Sequence, residues 1–276
     1  MRGQWYPGSM ARAMRQLKED LKLVDLVVEL LDSRIPLSSR NPVLSKLIDG
    51  KQSLILLHKA DRSEPEITAQ WISFFQQLRL AAMPFSVHTA RSLSFFFKYL
   101  KLQEHNLRPG RFKRPLRLMV AGIPNVGKST LINYLVGRSP ARTGNRPGIT
   151  RGRQWIRLLD GVELLDTPGV LWPNLSEKST LPLAVVGALP AAKLDQSELS
   201  RWLLSAFINR KKEGQLLKRY PFLMPDHPEL FLEQIGLRLG FLRAEGKTDL
   251  ERAAARVLSD FQSGALGRIT LEMPSQ

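Results

Sequence analysis

The eight residues Gly122-Ile123-Pro124-Asn125-Val126-Gly127-Lys128-Ser129 constrain the chain more than any other feature. They satisfy the phosphate-loop pattern G-x-x-x-x-G-K-[ST], and the flanks supply the context that the pattern needs. Leu116 to Ala121 is an apolar run of strand length, and Leu131, Ile132, Leu135 and Val136 recur at the spacing of one helix face. A loop between a strand and a helix, with Thr130 just inside the helix, can wrap a polyphosphate. Gly122 and Gly127 let the backbone curl, while the N–H groups around Asn125 and Val126 and the helix N-terminus supply positive potential. Lys128 neutralises the outer phosphates, and the Ser129 hydroxyl is placed to ligate Mg²⁺.

A second phosphate-side signal follows 38 residues after Lys128, where Asp166-Thr167-Pro168-Gly169 leaves an apolar run. An acidic residue there can hold the Mg²⁺ shell, and the Gly169 N–H can meet a γ-phosphate. Between the two motifs, residues 138–152 carry Gly144, Pro147 and Gly148 and no apolar periodicity, so a mobile loop is expected. Thr150 in that loop is a candidate second hydroxyl ligand for Mg²⁺, engaged only when triphosphate is bound. Asp160-Gly161 between residues 155–159 and 162–165 marks a hairpin.

Reading guanine requires a carboxylate that accepts from the base's N1–H and exocyclic amine, with a lysine stem packed on the ring. His58-Lys59-Ala60-Asp61 has that spacing at the end of the apolar run Ser53 to Leu57. Ser86 to Thr89, after a second short run, can offer backbone to the guanine carbonyl. Both segments precede the phosphate loop, whereas in ordinary GTPases they follow it.

Helices are expected over residues 9–22, 42–49 and 65–79 and around Phe95-Phe96-Phe97. Those three aromatics are read as core and interface anchors, with an exposed platform for bases as the alternative. Beyond Pro173 the pattern becomes helical, with Leu199, Leu203 and Phe207 on one face and Ala254, Val257, Leu258 and Phe261 on another. Domain limits of 1–177 and 178–276 follow.

The chain has no cysteine, which excludes disulfides, thiolate metal sites and cysteine nucleophiles. No apolar run reaches the length of a membrane span, so a cytoplasmic protein with no membrane partner is expected. A net charge of +16 is uneven: no Asp or Glu occurs from 105 to 159, where twelve Arg or Lys lie between Arg108 and Arg157. Such a surplus favours a polyanionic partner, nucleic acid first.

The motif order, together with Trp5-Tyr6-Pro7-Gly8-Ser9-Met10 and Asp32-Ser33-Arg34-Ile35-Pro36, resembles the circularly permuted GTPases of the YlqF/RbgA type, which act in ribosome biogenesis. The resemblance covers nearly the whole chain, including Leu266 to Glu272. It implies an α/β fold: a circularly permuted P-loop GTPase domain, with a mostly parallel sheet flanked by helices, followed by an all-helical C-terminal domain that contacts RNA. It also implies a GTP/GDP-binding factor, monomeric, that docks on the large ribosomal subunit precursor and its rRNA late in assembly and leaves after hydrolysis. Three positions depart from the pattern. His58 stands where the family has an Asn that braces the phosphate loop, so altered affinity is expected. Ser9 stands where relatives have His, and Val170 where many GTPases place a water-orienting glutamine, so intrinsic hydrolysis is expected to be slow until the ribosome or a monovalent cation assists. Asn125 resembles the residue that potassium-dependent GTPases use for K⁺; a loop-bracing amide is the alternative. A nucleotide-gated RNA-binding protein with negligible hydrolysis, and a P-loop ATPase or kinase, are the competing functions.

Overall fold

The computed structural model describes residues 7–107, 114–138, 155–165, 177–189 and 195–274. These group into two compact units. The first takes residues 1–61, 65–175 and 272–276, and the second takes residues 62–64 and 176–271.

The first unit is built on a six-stranded sheet. Its strands are β1 (Leu26–Asp32), β2 (Gln52–His58), β3 (Ala81–Phe85), β4 (Leu116–Gly122), β5 (Trp155–Leu159) and β6 (Val162–Leu165). The order across the sheet is β3-β2-β1-β4-β6-β5. All neighbours run parallel except β5 and β6, which form the antiparallel hairpin that Asp160-Gly161 predicts. Gly161 has φ +79°, the left-handed conformation such a turn requires.

The helices of this unit are α1 (Pro7–Leu21), α2 (Pro42–Leu47), α3 (Pro65–Gln77), α4 (Ala90–Leu107) and α5 (Lys128–Arg138). Observed limits fall within two residues of the expected ones wherever a proline, an aspartate or a glycine punctuates the chain. The α2 start is one such case, because the Asn41 side chain accepts from the N–H groups of Val43 and Leu44, and Pro42 occupies a position where a missing N–H costs nothing.

Strand alternation decides which helices lie on which face. Val27 and Met119, paired in register, pack with Leu17 and Leu21 of α1 and Leu44 of α2. Leu31, Ile55 and Leu57, on the same face by alternation, pack with Ile67, Trp71 and Phe75 of α3. On the opposite face Phe85 meets Phe96 of α4 at 5.9 Å and Tyr134 of α5 at 6.4 Å. The sheet is therefore covered on both sides, which explains why its central strands are dominated by apolar residues. Glu29 of β1 is also buried, with its carboxylate 3.4 Å from the Arg40 guanidinium.

The phenylalanine triplet divides: Phe96 is fully buried, whereas Phe95 is 52% exposed. The expected mobile loop falls almost wholly outside the described residues.

The second unit is helical: α6 (Glu177–Val185), α7 (Gln196–Asn209), α8 (Glu213–Arg219), α9 (Phe231–Arg238) and α10 (Leu250–Ser263). Asp195 caps α7 through the N–H groups of Ser197 and Glu198, and Gly264, at φ +90°, closes α10. Leu199, Leu203 and Phe207 are buried, as are Ala254, Val257 and Phe261. The Ser200 hydroxyl donates to the Ala254 carbonyl at 3.0 Å, so α7 and α10 approach closely there.

Asp260 organises the polar side of this unit. Its carboxylate accepts from the Arg219 guanidinium at 2.6 Å, the Tyr220 hydroxyl at 2.9 Å and Arg256 at 3.2 Å. Burial works against the charged carboxylate, but these three donors outweigh it and hold the carboxyl below its usual range. Truncation leaves a buried hydroxyl and two cations without their acceptor. Asp260→Ala should therefore lower unfolding stability by about 2 kcal/mol, less than for a fully enclosed pair because both arginines are partly exposed. The midpoint of urea unfolding checks this, and an unchanged midpoint would contradict it.

Candidate functional site

The sheet order reverses between β1 and β4: the chain runs outward from β1 through β2 to β3, then returns to β1's other side. Open α/β sheets bind ligands at the carboxyl ends of strands beside such a switch point. Asp32 pairs with His58 and His58 with Phe85 in parallel register, and Leu30 pairs with Gly122. Lys59, Ala60 and Asp61, then Ser86, then the loop from Gly122 to Ser129 thus emerge at one edge of the sheet. Ala60 and Asp61 form a short 3₁₀ turn.

The phosphate loop has the geometry its glycines suggest. A Cβ on Gly122 would lie 2.6 Å from the Leu30 carbonyl oxygen, so only glycine lets β4 end this close to β1. Gly127 has φ +111°, and a Cβ there would fall 2.6 Å from a ring carbon of His58. Asn125 also adopts a positive φ, +56°. Lys128 is buried, and its ammonium donates to the carbonyls of Gly122 at 3.1 Å and Ile123 at 2.7 Å. Ser129 and Thr130 are exposed in the first turn of α5.

Two side chains from the end of β2 reach this loop. The Lys59 ammonium donates to Asp32 at 3.0 Å and to the Asn125 carbonyl at 3.3 Å. His58 Nδ1 lies 3.0 Å from the Val126 carbonyl oxygen. A carbonyl only accepts, so Nδ1 carries the proton there. Burial first, and the neighbouring Lys59 charge second, push the imidazole from its ordinary 6.5 down to about 4, so the ring is neutral at physiological pH. His58 therefore braces the loop from the position where the family pattern has Asn, and a donor to the loop is retained.

Asp32 anchors the assembly. Arg34 grips its carboxylate with Nε at 2.9 Å and Nη2 at 2.8 Å, and the Lys59 ammonium shares Oδ2 with Nη2 at 3.0 Å. Burial penalises the charge, yet the two cations prevail and hold the carboxyl far below its usual range. The loop after Asp32 is fixed in turn: Ser33 N–H donates to the His58 carbonyl, and the Glu272 carboxylate accepts from the N–H groups of Leu37 and Ser38. Nothing local in the sequence announces the Glu272 contact, which spans more than 230 residues. Ser86 is buried, and its hydroxyl accepts from the His88 N–H at 3.1 Å, which folds the turn after β3.

Thr150, Asp166, Gly169 and Val170 lie outside the described residues, as does the side chain of Ser9. Of the three candidate Mg²⁺ ligands, the described residues include Ser129 alone. Its open hydroxyl beside the loop fits an ion that takes few protein ligands and fills its shell with phosphate oxygens and water. No cluster of three acidic or histidine side chains capable of holding a metal occurs among the described residues. Nor is any described helix long and apolar enough to cross a membrane.

The His58 geometry has a pH consequence. Between about pH 6.5 and 4 the unfolded chain takes up a proton at His58 that the folded chain refuses, so stability falls as the pH drops through that window, by about 3 kcal/mol in all. Above pH 7 this contribution is complete and flat. His58→Asn should abolish that part of the slope, leaving only the fall due to carboxylates. Urea unfolding of parent and variant at pH 7, 5.5 and 4.5 tests it, and parallel curves would refute the assignment.

Residues 117–206 match the family model described as 50S ribosome-binding GTPase. The chain is 38% identical to Ribosome biogenesis GTPase A of Priestia megaterium over 99% of its own length and 97% of the relative's. It is 31% identical to the protein of that name from Thermotoga maritima, over 98% of this chain and 94% of that one. The GNP-bound crystal structure of YlqF from T. maritima superposes with a TM-score of 0.69 at 28% identity, covering 96% of this chain and 99% of the other. With relatives matched from end to end and a phosphate loop braced by the segment that precedes it, the chain belongs to the ribosome biogenesis GTPase A family.

Proposed function

We propose that the chain binds and hydrolyses GTP as an assembly factor for the large ribosomal subunit, docking on its precursor in the GTP state and leaving after hydrolysis. The observation that carries this reading is the double contact of His58 and Lys59 with the phosphate loop. It makes the base-reading and phosphate-holding segments one site although they lie in reversed order along the chain. The full-length relationship to proteins named for ribosome biogenesis supplies the cellular context.

In this reading Lys59 packs on the guanine ring, Asp61 accepts from its N1–H and amine, and the backbone near Ser86 meets its carbonyl. The loop amides from Asn125 to Ser129 and the Lys128 ammonium receive the phosphates. To do so Lys128 exchanges the carbonyls of Gly122 and Ile123 for phosphate oxygens. Ser129 and Thr150 would hold Mg²⁺, with Asp166 in its shell, and Asn125 would face a monovalent cation such as K⁺. Bound there, Mg²⁺ neutralises charge on the β- and γ-phosphate oxygens. The Gly169 N–H meets the γ-phosphate, so that release of phosphate is felt by the segment leading into the helical unit.

His58 supplies the bracing contact directly, so it gives no ground for a protein that binds GTP without hydrolysing it. Ser9 and Val170 still imply slow intrinsic turnover, because an apolar Val170 cannot orient water. A cytoplasmic monomer fits these requirements.

Single-turnover hydrolysis of GTP should rise by at least about tenfold when purified large ribosomal subunits are added, with small subunits as control, since a partner-supplied group at such a site is worth that much or more. Equal rates with and without large subunits would overturn the assembly-factor reading.

A further inference from the structure

The first unit carries a groove, of about 680 Å³, between the edge strand β3 and α4. Met83 and Pro84 of β3 and Tyr99 of α4 line it, while Phe95 and Leu102, 52% and 55% exposed, stand along it. Phe95, Tyr99 and Leu102 recur at spacings of four and three, so one face of α4 presents an apolar strip to solvent. Two charged side chains also line the groove, Arg91 and Lys98, and both are cations. The Arg91 guanidinium lies 5.3 Å from the centre of the Phe95 ring.

Two further facts narrow the occupant. Charge divides unequally between the units: the first holds 26 basic and 13 acidic residues, the second 15 and 12. The polyanion-attracting surplus therefore belongs to the unit that bears the groove. Pro84 sits on an edge strand and has no N–H to offer, so an extended peptide adding itself as a further strand would lose a ladder bond there. What suits an apolar trough with an exposed ring and cationic rims is a flat apolar group joined to an anion, repeated: the bases and phosphates of a single strand.

We propose that the groove between β3 and α4 binds single-stranded RNA, with a base stacked on Phe95 and backbone phosphates on Arg91 and Lys98. The preference for RNA over an acidic protein rests on the ribosomal role proposed above; the groove and its charge do not.

The test uses the intact chain with GDP, a fluorescent twelve-nucleotide oligouridine and, as competitor, oligoglutamate of equal charge. Phe95→Ala should weaken oligouridine binding at least about fivefold, whereas Phe95→Trp, which keeps a stacking face, should restore it. Lys98→Gln should lower the slope of log affinity against log salt by about 0.7, the value of one single-strand phosphate contact. Both positions lie outside the nucleotide site, so GDP affinity should not change. Parent-like RNA binding in Phe95→Ala and Lys98→Gln would overturn the proposal, as would Phe95→Trp failing as badly as the alanine variant, or oligoglutamate binding the parent more tightly than oligouridine does. None of these outcomes involves ribosomal particles, so the groove can fail while subunit-stimulated hydrolysis stands.

Discussion

The lateral pairing of β4 against β1 is the constraint on which the site depends. It brings the Gly122 backbone against the Leu30 carbonyl, so the loop after β4 opens beside the chain leaving β1 and β2. Once that pairing exists, Asp32 on β1 can hold Lys59 just after β2, and Lys59 and His58 can reach the carbonyls of Asn125 and Val126. The pairing in turn requires two covered faces, which α1, α2 and α3 supply on one side and α4 and α5 on the other.

This dependence explains how the motif order can be reversed without loss of the site. A parallel sheet is indifferent to which strand is made first, provided each crossover is long enough to carry a helix and each strand keeps its neighbours. The contacts joining His58 and Lys59 to the loop after β4 run sideways between strands. They do not run along the chain. Reversal changes what is covalently attached to the segment after the phosphate loop, which here leads into the helical unit. Residues 62–64, directly after Asp61, also belong to that unit. Within it Glu64 pairs with Arg210 at 2.9 Å and Lys212 at 2.8 Å, and accepts from the Thr270 N–H.

Much of this was legible in the sequence because local chemistry enforces it. The phosphate loop announced itself through two glycines, one of which must adopt a conformation other residues avoid, and through flanks of strand and helix period. The β5–β6 hairpin followed from Asp160-Gly161. Features formed by distant partners were not legible. The Glu272 carboxylate is one such case, because the amides it accepts from lie more than 230 residues away. His58 was a partial failure: the family resemblance put it where an Asn braces the loop and so suggested altered affinity, but only the ring's direction and the room left by Gly127 show that it donates to Val126.

Competitive titration decides whether Asp61 and the phosphate loop belong to one guanine nucleotide site. GDP and ADP would each be titrated against the intact chain and against Asp61→Asn, with Mg²⁺ present. If they share one site, GDP binds tightly, ADP competes negligibly, and the variant loses the preference for guanine by at least about a hundredfold, since a buried donor pair on the base is left without its acceptor. Equal binding of GDP and ADP by the parent, or an unchanged preference in the variant, would contradict a shared site.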